Sequence, residues 1–244
     1  MTQMEIRVAA GNADLIEQAA KLIADAAREA IARTGEFSIA LSGGSTPKPV
    51  YARLATEPYL SSIDWSKVSV YFGDERCVPP DSDQSNYRMA NESLLSHVPI
   101  PEANIHRMHG EDDPEIAAIA YGRLLKSHFG DGGIDMILLG IGPDGHTASL
   151  FPKTTALAET HHRCVANCVP QLSTWRITMS APFINRAAVV SFVVQGSDKA
   201  DRIAQVIQGP RDEQTLPAQL IMPDPGRLIW LLDTEAAGKL HRGN

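Results

Sequence analysis

Cysteine is scarce in this chain. The three present, Cys77, Cys164 and Cys168, are an odd number for a disulfide framework and suit a reducing compartment. Long apolar runs are missing as well: no stretch approaches the length of a membrane span, and Met1-Thr-Gln-Met-Glu-Ile-Arg7 lacks the basic and apolar regions of a signal peptide. A cytoplasmic protein with no membrane contact is therefore expected. Nor is there a basic tract. Lys and Arg number 22 against 29 Asp and Glu, giving a formal net charge of −7, and general nucleic-acid binding needs clustered cations to release counterions. The glycine turn Ser42-Gly-Gly-Ser-Thr-Pro-Lys48 is neither a Walker loop nor a G-x-G-x-x-G fingerprint, so no nucleotide and no cofactor is expected. His161-His-Arg-Cys164 and Cys168 fit no common zinc spacing, and no metal is expected. Repeats, low-complexity tracts and linkers are also absent, which leaves one domain over 1–244 as the expectation.

What the chain does have is alternation of short apolar runs with helical periodicity. Glu5–Val8, Phe37–Leu41, Lys67–Phe72, Ile134–Leu139, Ala187–Val194 and Arg227–Leu232 read as strands. Leu15, Ala19, Leu22, Ile23, Ala26, Ala30 and Ile31 recur at helical spacing, with Gly35 as the stop, and Asp113-Pro114-Glu115 opens a helix through Leu125. This order predicts an α/β fold with a mostly parallel sheet and helices on both faces.

Charge collects where the strands end. Ile134 to Leu139 runs into Gly140-Ile-Gly-Pro-Asp-Gly-His146, which sets Asp144 and His146 two residues apart beyond a strand's carboxyl end, where open α/β sheets bind ligands. Imidazole is the side chain best suited to general-base work near neutrality, and an adjacent carboxylate fixes its tautomer. Phe37–Leu41 runs into Ser42-Gly-Gly-Ser-Thr-Pro-Lys48, where Thr46 is placed to cap a helix that begins at Pro47. Free N–H groups at such a helix start suit a phosphate, and Lys48 in the first turn opposes the macrodipole unless an anion is bound. Lys67–Phe72 delivers Gly73-Asp-Glu-Arg76 to the same edge if the strands are parallel. Further on, Thr174–Ser180 alternates, with Trp175, Ile177 and Met179 on one face and Arg176 on the other, and Lys199 falls in the first turn of another helix.

Set side by side, these turns resemble the 6-phosphogluconolactonase family of the pentose phosphate pathway. The likeness runs from about Phe37 to Leu232 and rests on Leu41–Pro47, Phe72–Arg76 with Ser85-Asn-Tyr87, Gly140–Pro152, and Arg176-Ile-Thr-Met with Asn185. It implies a modified Rossmann-like sheet and hydrolysis of 6-phospho-D-glucono-1,5-lactone to 6-phosphogluconate. On that reading His146 is the general base, and Asp144 or Asp74 orients it. Arg76 stabilises the oxyanion, and the phosphate rests on Gly43, Gly44, Ser45 and Thr46, held by Arg176 and Lys199. The expected partner is a small phosphosugar lactone, and the expected state a monomer. The related glucosamine-6-phosphate deaminases share the Asp-Glu pair and the Asp-Gly-His turn, but carry Glu where this chain has Phe151 and Tyr where it has Arg76. A noncatalytic phosphosugar sensor on the same scaffold is the third reading, and the presence of Asp74, Asp144 and His146 argues against it.

Overall fold

The computed structural model describes residues 3–241; the first two residues of the Met1–Arg7 segment and the last three of the chain lie outside them. Six strands form the main sheet: β1 (Gln3–Ala9), β2 (Phe37–Leu41), β3 (Val68–Phe72), β5 (Met136–Leu139), β8 (Val189–Val194) and β9 (Arg227–Asp233). They lie in the order β1-β9-β8-β5-β2-β3, every pair parallel. Around them lie helices α1 (Asn12–Thr34), α2 (Pro47–Leu54), α3 (Tyr59–Ser62), α4 (Asn86–Ser93), α5 (Pro114–Phe129), α6 (Ala181–Ile184) and α7 (Ala200–Gln208). The α/β, mostly parallel architecture expected from the strand–helix alternation is the one observed, in the Rossmann-like form that the resemblance implied.

Local chemistry sets the element ends. Helix α1 buries Leu15, Ala19, Ile23, Ala27 and Ala30, a stripe of mostly small residues that brings it close to the sheet. It stops at Gly35, whose φ of 88° closes the last turn with an N–H bond to the Ile31 carbonyl. Helix α5 starts as its sequence dictates, with the Asp113 carboxylate accepting from the Glu115 and Ile116 N–H groups and Pro114 following. Strands β2 and β5 are buried at every position, which is why β5 reads as an unbroken apolar run and β2 as one broken only by Ser38.

Two features position the site. The chain leaves β2 for β3 on one side, whereas β5 leads to β8 and β9 on the other, so the topological switch lies at the β2–β5 boundary and opens a crevice beyond their carboxyl ends. The second feature was not expected: Asp74–Arg76 is a short strand, β4, rather than a turn. Together with β6 (Cys164–Val169) and β7 (Thr174–Met179) it forms a three-stranded antiparallel sheet in the order β4-β7-β6. Gly73 is the joint between the sheets, donating to the Leu41 carbonyl and accepting from the Met179 N–H. The small sheet thus stands beside the crevice as a wall.

Candidate active site

A cleft of about 280 Å³ occupies the switch point. The turn after β2 contributes Ser42, Gly43 and Gly44; the segment after β3 contributes Asp74 and Arg76; the loop after β5 contributes His146; and β7 contributes Arg176. Residues from four separated stretches of chain therefore meet in one concavity, and the two turns that the sequence singles out, around Gly43 and around His146, open onto the same side of the molecule.

The His146 loop is a tight structure. The Gly142 N–H donates to the His146 carbonyl at 2.9 Å, and the Gly145 N–H donates back to Gly142 at 3.0 Å, with Gly145 at φ 86°. This folds Asp144 under the imidazole, and Asp144 Oδ1 meets His146 Nδ1 at 2.5 Å. Burial works against the Asp144 charge, but hydrogen bonds from the His146 ring and backbone outweigh it and hold the carboxyl below its ordinary pKa. The contribution of this contact to stability is thus present above the free carboxyl pKa and is lost as pH falls through the lower folded value. His146 also stacks on Phe151, ring centroids 4.0 Å apart.

Asp74 is not a partner of His146. Its Oδ2 accepts from Ser149 Oγ at 2.6 Å, and the Asn86 amide donates to its main-chain carbonyl at 2.9 Å. Of the two carboxylates considered for orienting the imidazole, Asp144 makes the contact. Its neighbour Glu75 serves the scaffold: it is buried and accepts from the N–H groups of Arg76, Asn86 and Tyr87 and from the Ser85 hydroxyl, thereby satisfying the start of helix α4. Burial raises its pKa, opposed by those N–H bonds. Glu75→Ala strands three backbone N–H donors and the Ser85 hydroxyl, so a loss of stability of about 3 kcal/mol is expected; an unchanged denaturation midpoint would contradict the role.

The wall carries the positive charge. In the β4–β7 register Arg76 faces Arg176 directly, while Asp74 faces Thr178. Like charges in opposed positions repel, and no carboxylate forms an ion pair with either guanidinium among the described residues. Arg76 donates to the Gln84 carbonyl, and Arg176 to the Thr174 hydroxyl. Burial first, and then Arg76, pull the Arg176 pKa below its ordinary value, while Asp74 pulls the other way. Two half-buried guanidiniums, neither of them in an ion pair, make a seat for an anion.

Other expected positions fall elsewhere. Thr46 has helical backbone angles and makes no capping bond, although the helix does begin at Pro47; its side chain is not the cap that the residue type suggested. Ser45 and Thr46 are not among the residues that line the cleft, and neither is Lys199, which sits at the start of α7 beside Asp198 at 3.2 Å. The glycine turn is instead braced from below by Tyr51, fully buried, whose hydroxyl accepts from the Ser42 N–H and donates to the Ser42 carbonyl. Residues that the motif reading gave no role also shape the site. Asn86 presses against Gly43 so closely that a Cβ there would lie 1.8 Å from its Oδ1, and Leu172 lines the cleft from the β6–β7 hairpin. Nothing local in the sequence marks these contacts, because each joins stretches far apart in the chain.

Comparison with known proteins places the chain in a family. Residues 10–230 match the family model described as glucosamine-6-phosphate isomerases/6-phosphogluconolactonase. The chain is 43% identical over 233 residues to a 6-phosphogluconolactonase of Synechocystis sp., covering 93% of this chain and 94% of that one. It is 40% identical over 232 residues to one of Nostoc sp., with the same coverage. Among solved structures, 6-phosphogluconolactonase from Trypanosoma brucei superposes with a TM-score of 0.87 at 29% identity, over 99% of this chain and 100% of that one. A sequence match along nearly the whole chain and the shared architecture give one conclusion: the protein belongs to the glucosamine-6-phosphate isomerase/6-phosphogluconolactonase family.

Proposed function

We propose that the protein hydrolyses 6-phospho-D-glucono-1,5-lactone to 6-phosphogluconate, with His146 as general base. The observation that carries the reading is the 2.5 Å contact of Asp144 with His146 Nδ1, in a cleft that also holds an unneutralised arginine pair. With Nδ1–H committed to the carboxylate, Nε2 is the ring nitrogen left to take a proton from water. The water oxygen bonds to the lactone carbonyl carbon as its proton moves to Nε2. Collapse of the oxyanion breaks the bond from that carbon to the ring oxygen, and the imidazolium returns the proton to the departing oxygen. Asp144 stabilises the imidazolium meanwhile and keeps its own negative charge.

The arrangement of donors supports a division of labour that differs from the expectation from motifs. Gly43 and Gly44 form no N–H hydrogen bond within the described residues, and their turn lies between the His146 loop and Asp74, as β2 lies between β5 and β3. Backbone donors beside the base suit the transient oxyanion, whereas the permanent charge of the phosphate suits Arg76 and Arg176. Asp74, on the same face of β4 as Arg76 and fixed by Ser149, is placed to accept from a sugar hydroxyl between the two ends. Arg176→Ala is accordingly expected to raise KM about ten- to hundredfold, the worth of a charge-assisted contact, with a much smaller change in kcat. Inhibition by inorganic phosphate should weaken in parallel, and an unchanged response to phosphate would remove Arg176 from the seat.

The assay that tests the function scores acid release from the lactone, corrected for its spontaneous hydrolysis, against ammonia release from glucosamine 6-phosphate. Acid release alone is expected. Phe151, packed on the His146 ring, fills the position where the deaminase pattern has a carboxylate; ammonia release without lactonase activity would overturn the proposal.

A further inference from the structure

The largest concavity described here is not the cleft. About 540 Å³ opens at the other end of the main sheet, at the amino-terminal ends of β2 and β3 and just before β5, where Ser38, Ser69 and Asp135 line it. Ser38 and Ser42 are four residues apart along β2, so the two sites are separated by roughly 13 Å of strand. None of its lining residues belongs to the cleft.

Its inner wall is aromatic. Tyr71, buried on β3, stacks against His106 with centroids 4.7 Å apart, and His128 stands edge-on to His106 at 4.8 Å, with Phe129 tilted against Tyr71 at 5.1 Å. The wall is rigid. The His106 N–H donates to the Val70 carbonyl at 2.8 Å, and the Tyr121 hydroxyl, fixed by the Phe72 N–H, donates to the His106 carbonyl at 3.2 Å. The Tyr71 hydroxyl meets His128 Nδ1 at 2.7 Å, and burial, then Glu36, keep the phenol protonated as the donor. His106 is held below its ordinary pKa by burial and then by His128, so it is neutral at pH 7.5, and its ring makes no hydrogen bond within the described residues.

The cations at this end, Arg33 and Lys126, are each paired with a carboxylate, Asp135 and Asp131, so the charge left over is negative. Helices α1, 23 residues long, and α5, 16 residues long, both finish at the cavity, at Thr34 and Phe129, and present the negative ends of their dipoles. Asp135 is engaged with Ser38 and Arg33, but the Glu36 carboxylate makes no hydrogen bond or ion pair among the described residues and lies at the rim. An anion such as the substrate phosphate is disfavoured here. A bare metal ion is also a poor match, since no group of three metal-binding side chains is present among the described residues. Aromatic faces under a negative potential fit a cation that carries its own apolar surface.

We propose that this cavity, walled by Tyr71, His106, His128 and Phe129 and edged by Glu36, is a binding site for an organic ammonium ion with an apolar body, separate from the catalytic cleft. The test is NMR of the imidazole Cε1 protons of the full chain at pH 7.5 during titration with benzylammonium chloride, at constant ionic strength. His106→Gln and His128→Gln supply the assignments. The expected result is a saturable shift of the His106 and His128 signals with a millimolar Kd, the His146 signal unmoved, and a Kd about fivefold weaker in Glu36→Gln, whose exposed side chain can change without disturbing the fold. Benzyl alcohol, matched in shape but uncharged, should give no saturable shift. The proposal is overturned by no saturable response up to about 20 mM, by equal binding of the alcohol, by an unchanged Kd in Glu36→Gln, or by a shift confined to His146.

Discussion

His146→Ala is expected to lower turnover of the lactone by about two to four orders of magnitude, the range that positioned general bases supply. KM and the affinity for inorganic phosphate should stay close to those of the unaltered protein. The split follows from where the groups sit: the imidazole comes from the loop after β5, whereas the arginine pair comes from the small sheet and shares no hydrogen bond with it. Removing the ring leaves Arg76, Arg176 and the Asp74–Ser149 contact as they are. The substrate also hydrolyses spontaneously, so the measured quantity is the rate above the enzyme-free control, with phosphate competition as the binding readout. Near-normal turnover in this variant would remove His146 from the base role, and a matching loss of phosphate affinity would show that the two ends of the cleft are not independent.

The parts of the site that could be read from sequence are those made within one turn. Asp144 and His146 are two residues apart, so a glycine-punctuated loop is enough to bring carboxylate to imidazole, and the apolar run before them locates the loop at a strand end. The strand–helix alternation likewise fixes a parallel sheet, because its period changes within a few residues. What could not be read are contacts set by register between distant segments. Arg76 meets Arg176 only because Asp74–Arg76 pairs antiparallel with Thr174–Met179, a pairing with no signature inside either segment. Lys199 and Thr46 are a different case, since neither is among the residues that line the cleft. Each has the right residue type beside a helix start, but helix starts occur all around the sheet, and only tertiary placement decides which of them faces the cleft.

Gly142→Ala is expected to reproduce much of the histidine-null phenotype although Gly142 carries no chemistry. A Cβ built on Gly142 lies 2.1 Å from both Cε1 and Nδ1 of His146 and 2.9 Å from Asp144 Oδ1, where carbon contacts require about 3.5 Å or more. The imidazole must therefore move by more than an ångström, and Phe151, stacked at 4.0 Å on the ring and itself buried, limits where it can go. If the turn yields instead, it gives up the bond from the Gly142 N–H to the His146 carbonyl, which sets the loop. Either way Nδ1 leaves Asp144 and Nε2 leaves the position from which the proposed proton transfer runs; a displacement of about 1 Å alone costs roughly a hundredfold in rate. The expected outcome is a fall in kcat of about a hundredfold or more, with KM and phosphate inhibition little changed and the thermal midpoint showing a folded protein. The double variant Gly142→Ala/His146→Ala separates this account from general damage to the fold. If the glycine acts only by giving the imidazole its place, the double variant is no slower than His146→Ala. If the two losses multiply, Gly142 supports the reaction by some route other than the base.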